Sequence, residues 1–103
     1  IAVHAVVRTL AGLPLATGRL ILSGEAGHAR IGRMAVLRSA RGTGLGREVL
    51  QALIAQARER RVRHIGIHAQ LSAMPLYAQA GFVPVGEVFD EVGIPHQGMT
   101  LAI

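Results

Sequence analysis

Arg41-Gly42-Thr43-Gly44-Leu45-Gly46 stands between two stretches of different period, and its reading decides the fold. Before it, His28 to Leu37 (HARIGRMAVL) alternates in its first half, Ala29 and Ile31 against Arg30 and Gly32, then turns apolar toward Val36-Leu37. That pattern predicts a strand that starts half-exposed and ends buried. After it, Leu45, Val49, Leu50, Leu53, Ile54 and Ala57 form a helical stripe, with Arg47, Glu48, Gln51, Arg58 and Glu59 outside it. The helix is expected to end near Arg60-Arg61, where cations suit the C-terminal dipole. Glycines at such a strand-to-helix turn let the main chain approach a ligand, and the helix N-terminus favours an anion there. A pyrophosphate meets that demand. The segment is too short for a Walker A loop and lacks its lysine, and glycines at every second position are not a dinucleotide fingerprint. The alternative is a glycine-rich βα turn that binds nothing.

Outward from this turn, Val3–Leu10 and Leu15–Leu22 read as an antiparallel hairpin around Ala11-Gly12-Leu13-Pro14, followed by a loop over Ser23–Gly27. Downstream, Arg63–Ala69 reads as a short strand. A short helix from about Ala73 to Ala80 follows, with Ser72 as N-cap, Pro75 in the first turn and Gly81 at the C-cap. Phe82–Phe89 and Gln97–Ile103 close the chain as strands. The order β-β-β-α-β-α-β-β predicts one α/β (α+β) domain over residues 1–103, with antiparallel strands leading into a central β-α-β crossover.

Half of the 103 residues are hydrophobic and 17% are charged, which is a globular composition. With two Phe, one Tyr and no Trp, the core must come from Ala, Val, Leu and Ile. The absence of cysteine excludes disulfides, thiolate zinc sites and a cysteine nucleophile, and a cytoplasmic location is expected. No apolar run approaches a membrane span, and the first residues do not read as a signal peptide. The sequence does not begin with Met, so a segment upstream is expected. The net charge of +5 rests wholly on arginine, which fits an anionic partner, nucleic acid or phosphorylated cofactor, or a genomic bias toward arginine codons. Arg58-Glu59-Arg60-Arg61-x-Arg63 is the densest basic run, but no aromatic platform accompanies it; a solvated helix end is the expectation, and nucleic acid is disfavoured. No carboxylate cluster accompanies the five histidines, so no metal site is expected.

The only tyrosine lies in Tyr77-Ala78-Gln79-Ala80-Gly81-Phe82. It is either an anchor near a helix end or a hydroxyl placed to protonate a leaving group. Arg41-x-x-Gly44-x-Gly46 resembles the Q/R-x-x-G-x-G/A pyrophosphate loop of GNAT acetyltransferases, and Tyr77-x-x-x-Gly81-Phe82 resembles their Y-x-x-x-G-F element. The resemblance runs from about Val3 to the C-terminus. Glu91 to Met99 (EVGIPHQGM), with His68-Ala69-Gln70 upstream, resembles the ElaA-like branch of that superfamily.

The resemblance implies a mixed, mostly antiparallel GNAT sheet and an N-acetyltransferase that passes acetyl from acetyl-CoA to a primary amine by direct attack. It places acetyl-CoA where the strand ending at Leu37 splays from Arg63–Ala69. Main-chain groups of Met34, Ala35 and Val36 would meet the pantetheine arm, and an N–H near Val36 would polarise the acetyl carbonyl. Amides across Arg41, Gly42, Thr43, Gly44, Leu45 and Gly46 would hold the pyrophosphate, and Gln70 stands where the family often has asparagine. Tyr77 is the candidate general acid. The base is left among Glu87, Asp90, Glu91, His68 and His96. The three acids read first as a solvated loop and otherwise as receivers of a cationic amine; His68 reads also as a core histidine, and His96 as part of a Pro-His turn. Members of the family usually open with a strand and one or two helices that build the acceptor pocket. Those elements are not in this sequence, so an upstream segment or another chain, as in a homodimer, would supply that edge. The partner is expected to be a small-molecule or peptide amine. Two rivals remain: a non-catalytic acyl-CoA-binding module, and a nucleic-acid-binding domain.

Overall fold

The computed structural model describes residues 2–9 and 11–103. Six strands form one sheet: β1 (Ala2–Arg8), β2 (Pro14–Leu22), β3 (His28–Val36), β4 (His64–Gln70), β5 (Val83–Glu91) and β6 (Ile94–Ala102), in the spatial order β1-β2-β3-β4-β6-β5. Every neighbouring pair is antiparallel except β3 and β4. The parallel pair is joined by helix α1 (Leu45–Glu59), the crossover that the periodicity predicts. Helix α2 (Met74–Gln79) joins β4 to β5.

The stripe of α1 is buried as the sequence demands: Val49, Leu50, Leu53, Ile54 and Ala57 enter the core with Ala16, Leu20, Ala29, Ile31, Ile65, Ile67 and Met99. Strand pairing puts Ala29 opposite Ile65 and Ile31 opposite Ile67, so these sheet residues share one face. Tyr77 and Phe82 join the same cluster, which places both helices on that face. Among the described residues no helix covers the other face, which carries Arg19, Arg30, Gly66, His68, Gly98 and Thr100. Gly18 is what lets α1 lie close: a Cβ there would stand 2.6 Å from Met34 Sδ, 2.8 Å from Val49 Cγ1 and 3.0 Å from Leu53 Cδ1.

The expected burial gradient along β3 is reversed. Ala29 and Ile31 are buried, whereas Met34 and Val36 are half-buried and Ala35 and Leu37 exposed. The cause lies in pairing. Thr17 faces Ala35 and Arg19 faces Gly32, so β3 carries one more residue than β2 across this step, and Arg33 takes φ 54° to absorb it. Pairing of β3 with β4 ends at Ile31 and Ile67. Beyond that point the two strands part, and the apolar end of β3 lines an opening rather than a core.

Other boundaries are corrected more modestly. Leu71–Ala73 is a 3-10 turn and α2 starts after Ala73, so Ser72 is not an N-cap; no side chain caps this helix. Pro75 does sit in its first turn, and Gly81 follows it at φ 103°. β6 begins at Ile94, so His96 lies in a strand rather than a turn, and the hairpin bend is Val92-Gly93. Glu87, Asp90 and Glu91 belong to β5, not to a loop. Arg58, Arg60, Arg61 and Arg63 are all exposed, as a solvated helix end requires.

Candidate active site

The parting of β3 and β4 makes a cleft of about 640 Å³. Its walls are Met34, Ala35 and Val36 on β3, Ile67, His68 and Gln70 on β4, Leu76 and Tyr77 on α2, and Glu91 and His96 from the far hairpin. A second groove of about 400 Å³ continues from it past Val36, Arg41, Gly46 and Leu76 to Gly42, Gly44 and Leu45. Ten of the eleven sequence-predicted donor-site positions, Tyr77 included, thus line one continuous channel. Thr43 does not: its hydroxyl donates to the Ala40 carbonyl and fastens the turn. Arg41 is turned back, its Nε donating to the Val36 carbonyl at 3.2 Å. Four of its five N–H donors remain for other partners.

The start of α1 is the most polarised point of the channel. Gly44 occupies the N-cap at φ 83°, a left-handed conformation open to glycine at no steric cost. No side chain caps the helix. The Gly44 carbonyl accepts from the Glu48 N–H at 3.1 Å, starting the helical ladder. The amides of residues 42–47 find no acceptor in the turns, loops or side chains of the described chain. A helix N-terminus leaves such donors partially positive, and a Cβ at Gly42 or Gly44 would meet no protein atom within 4 Å. The turn is therefore a cradle of donors with nothing of the protein inside it.

Tyr77 is 4% exposed, its ring edge-on to Phe82 with centroids 5.9 Å apart. Burial pushes its phenol above the ordinary tyrosine value, so the hydroxyl stays protonated at neutral pH. It can give a proton and resists losing one to water.

Of the five candidate bases, the structure brings three into the cleft and leaves two outside. Glu91 Oε1 is 3.1 Å from His68 Nδ1, and Glu91 Oε2 is 3.5 Å from His96 Nε2. His96 is 5% exposed and its Nδ1 lies 2.7 Å from the Ile94 carbonyl oxygen. Glu87 and Asp90 do not line the cleft. Sequence reasoning missed Gln97, a buried side chain whose amide donates to the Val85 and Gly86 carbonyls at 2.8 and 2.9 Å. These carbonyls sit where the β5–β6 register shifts, an irregularity that no local pattern in the sequence announces. His64 and His68 are four apart in sequence, but on a strand that spacing separates them by roughly 13 Å. Among the described residues no group of His, Asp or Glu is arranged to hold a metal ion. No helix among them is long and apolar enough to cross a membrane.

Comparison with known proteins agrees with this geometry. The model of the GNAT acetyltransferase domain matches residues 16–103. An acyl-CoA N-acyltransferase from Pseudomonas aeruginosa superposes with a TM-score of 0.82 at 36% identity, over 98% of this chain and 68% of that one. Escherichia coli ElaA gives a TM-score of 0.86 at 26% identity, over 96% and 67%. The Bacillus subtilis protein YyaT is 31% identical over 90 residues, 87% of this chain and 60% of YyaT. The chain spans between 43% and 60% of the curated relatives it matches. On the domain match, and on the cleft and helix N-terminus that accompany it, this chain belongs to the GNAT acetyltransferase family.

Proposed function

We propose that the protein containing this chain is an N-acetyltransferase that uses acetyl-CoA as donor and a primary amine as acceptor. The observation that carries the reading is the uncapped start of α1, with six consecutive amides that no acceptor in the turns, loops or side chains of the described chain takes up, beside the channel that the β3–β4 parting opens. A diphosphate fits there by charge and by donor count. Amides of Gly42 to Gly46 and the free donors of Arg41 would hold it. Met34, Ala35 and Val36 flank the adjoining cleft, where a pantetheine arm and thioester belong, and Gln70 offers an amide at its rim. The donor supplies an activated acyl carbon. The chain supplies position and a protonated phenol at Tyr77 for the departing sulfur. A thiol of pKa about 8.5 leaves more readily when protonated, and an amine of pKa about 10 must first lose a proton.

The reading is tested on the full-length gene product. Saturating acetyl-CoA is expected to raise Tm, by a stabilisation of about 2.7 kcal/mol at a hundred times Kd. Thiol release is then followed with spermidine, kanamycin, free amino acids and a peptide with a free N-terminus. No thermal shift sinks the reading; a shift without turnover across the panel favours a non-catalytic acyl-CoA-binding module.

Gly44→Val offers a sharper check on the cradle. Forcing a branched residue to φ 83° costs about 1–2 kcal/mol of stability, and the side chain projects into the donor cradle. Gly12 has the same handicap at φ 89° with equally open space around it, but lies in the β1–β2 turn. Both variants are expected to lose similar stability, and only Gly44→Val to lose tenfold or more in acetyl-CoA affinity, measured by calorimetry. Equal affinities in the two variants would remove the cradle from the site.

A further inference from the structure

We infer that His68 is the general base of the acyl transfer proposed above, oriented by Glu91. The inference rests on that reading of the cleft and adds to it the residue that activates the amine.

Position is the first argument. Ile67 is the last residue of β4 paired with β3, and His68 is the first beyond it, at the mouth of the parting. Its side chain stands on the sheet face that carries no helix, and the residue opposite on β6 is Gly98, which puts no side chain against it. On that face a groove of about 490 Å³ runs past Ser23, Glu25, Arg30 and Gly66 to His68. His68 also lines the cleft that holds Tyr77. It is therefore a wall common to two cavities: one suited to the acyl donor, the other open for an amine to enter. Glu25 gives that groove an acidic group for a cation.

Hydrogen-bond capacity is the second. A carbonyl oxygen only accepts, so the 2.7 Å contact of His96 Nδ1 with Ile94 O requires a proton on Nδ1. The other nitrogen of that ring then carries the lone pair, so across 3.5 Å it offers Glu91 Oε2 no proton while the ring is neutral. Glu91 Oε1 faces His68 Nδ1 at 3.1 Å, and an ionised carboxylate also only accepts. His68 thus carries its proton on Nδ1 and its lone pair on Nε2. A carboxylate fixing the imidazole tautomer so that the far nitrogen is basic is the arrangement of hydrolytic triads. Arg30 does not consume that lone pair: its Nη2 lies 3.1 Å from one ring nitrogen and 3.0 Å from the other, and near-equal distances put it over the ring face rather than in the plane. Phe89 meets His68 edge-on at 5.0 Å and stacks on His96 at 6.0 Å, wedging the two rings. The charged and titratable groups around His68 are thus Arg30 from β3, Glu91 from β5 and His96 from β6, with Glu25, His28, Arg33, Arg41, His64 and Tyr77 on the cavity walls.

The proton count closes. Nε2 of His68 takes one proton from the acceptor ammonium, and the freed nitrogen pair forms the C–N bond at the thioester carbonyl. As the C–S bond breaks, the Tyr77 phenol gives its proton to sulfur and regains one from the newly bonded nitrogen. His68 returns its proton to water. Ammonium and thioester become amide, thiol and one solvated proton.

The test uses the full-length protein, with spermidine, kanamycin and a free-N-terminus peptide as acceptor probes. His68→Gln is expected to lower kcat about 10²–10⁴-fold and to leave acetyl-CoA affinity unchanged. Its remaining rate should climb with pH toward about 10, where the amine is already neutral, while the unmutated enzyme has levelled. Glu91→Ala, which only loosens the ring, should cost up to about 10²-fold in kcat. Long-range ¹H–¹⁵N spectra of the imidazoles give a readout that needs no substrate: His68 should be the Nδ1–H tautomer, and Glu91→Ala should release it to Nε2–H. An Nε2–H tautomer in the unmutated protein overturns the inference, as does turnover in His68→Gln with the native rate and pH profile. Failure of acetyl-CoA to bind would instead strike the proposed function, and the spectra would still decide the geometry.

Discussion

Tyr77→Phe is expected to lower kcat by about 10²–10⁴-fold while acetyl-CoA affinity stays within about twofold. The substitution removes one oxygen. The ring keeps its place in the core and its edge-on contact with Phe82, so packing offers no route to a large effect. Whatever is lost must come from the hydroxyl, and Tyr77 lines the cleft together with Val36, Leu76 and His68. Burial raises the phenol above its ordinary value of about 10, so the acid form persists through the physiological range and its loss should not limit the rate below about pH 10. The same shift has a signature in stability. Above about pH 10 the unfolded chain ionises its tyrosine while the folded one resists, so stability present below that pH is lost as pH rises. Tyr77→Phe should be spared that alkaline loss. Unchanged kcat would take the acid role from Tyr77, and a fall in kcat matched by a fall in affinity would mean that the hydroxyl holds the donor instead.

The channel was legible in the sequence because its parts are local. A glycine-rich turn between a strand and an amphipathic helix is a contiguous signal, and so is a tyrosine four residues ahead of Gly-Phe. The crossover follows from the order of elements. The burial along β3, by contrast, runs opposite to what its apolar pattern predicts. Periodicity reports which side chains are apolar and says nothing of whether a neighbour strand stays with them. The extra residue at Arg33 and the end of pairing at Ile31 carry no composition signal, and they turn Met34 to Val36 from core into cleft wall.

The histidine–carboxylate cluster was legible only as a set of candidates. His68, Glu91 and His96 come from β4, β5 and β6, and they meet because β6 lies between β4 and β5. Nothing local announces that spatial order. The pairing of Gln70 with His96 and of Phe89 with His96 is what puts both ends of the far hairpin beside the cleft. The reading of Glu87, Asp90 and Glu91 as one acidic group failed for the same reason. On a strand, neighbours point to opposite faces, and the register shift between Val85 and Phe89 separates Glu87 further. Only Glu91 falls on the side of the two imidazoles.

Gly18→Val is expected to destabilise the fold by about 1–3 kcal/mol and to weaken acetyl-CoA binding with it. For a chain this size each kcal/mol corresponds to roughly 4–8 °C in Tm. Gly18 has no turn to make; its role is the absence of a side chain. The Cβ alone would overlap Met34 Sδ, Val49 Cγ1 and Leu53 Cδ1 at 2.6–3.0 Å, and Val49 and Leu53 are among the most buried residues of α1. The helix must ride up, and its N-terminal amides ride with it, away from Val36 and the channel floor. Met34, the flexible partner, also lines the cleft. Leu53→Ala separates the two consequences. It leaves a cavity and should cost about 2–5 kcal/mol, yet it removes atoms rather than wedging the helix outward. Its acetyl-CoA affinity, measured below Tm, should hold. Pairing Gly18→Ala with Val49→Ala should recover part of both losses, because contacting residues couple. If Gly18→Val binds donor with native affinity, the seat of α1 on β2 does not position the cradle, and the link between core packing and cofactor binding argued from these distances is broken.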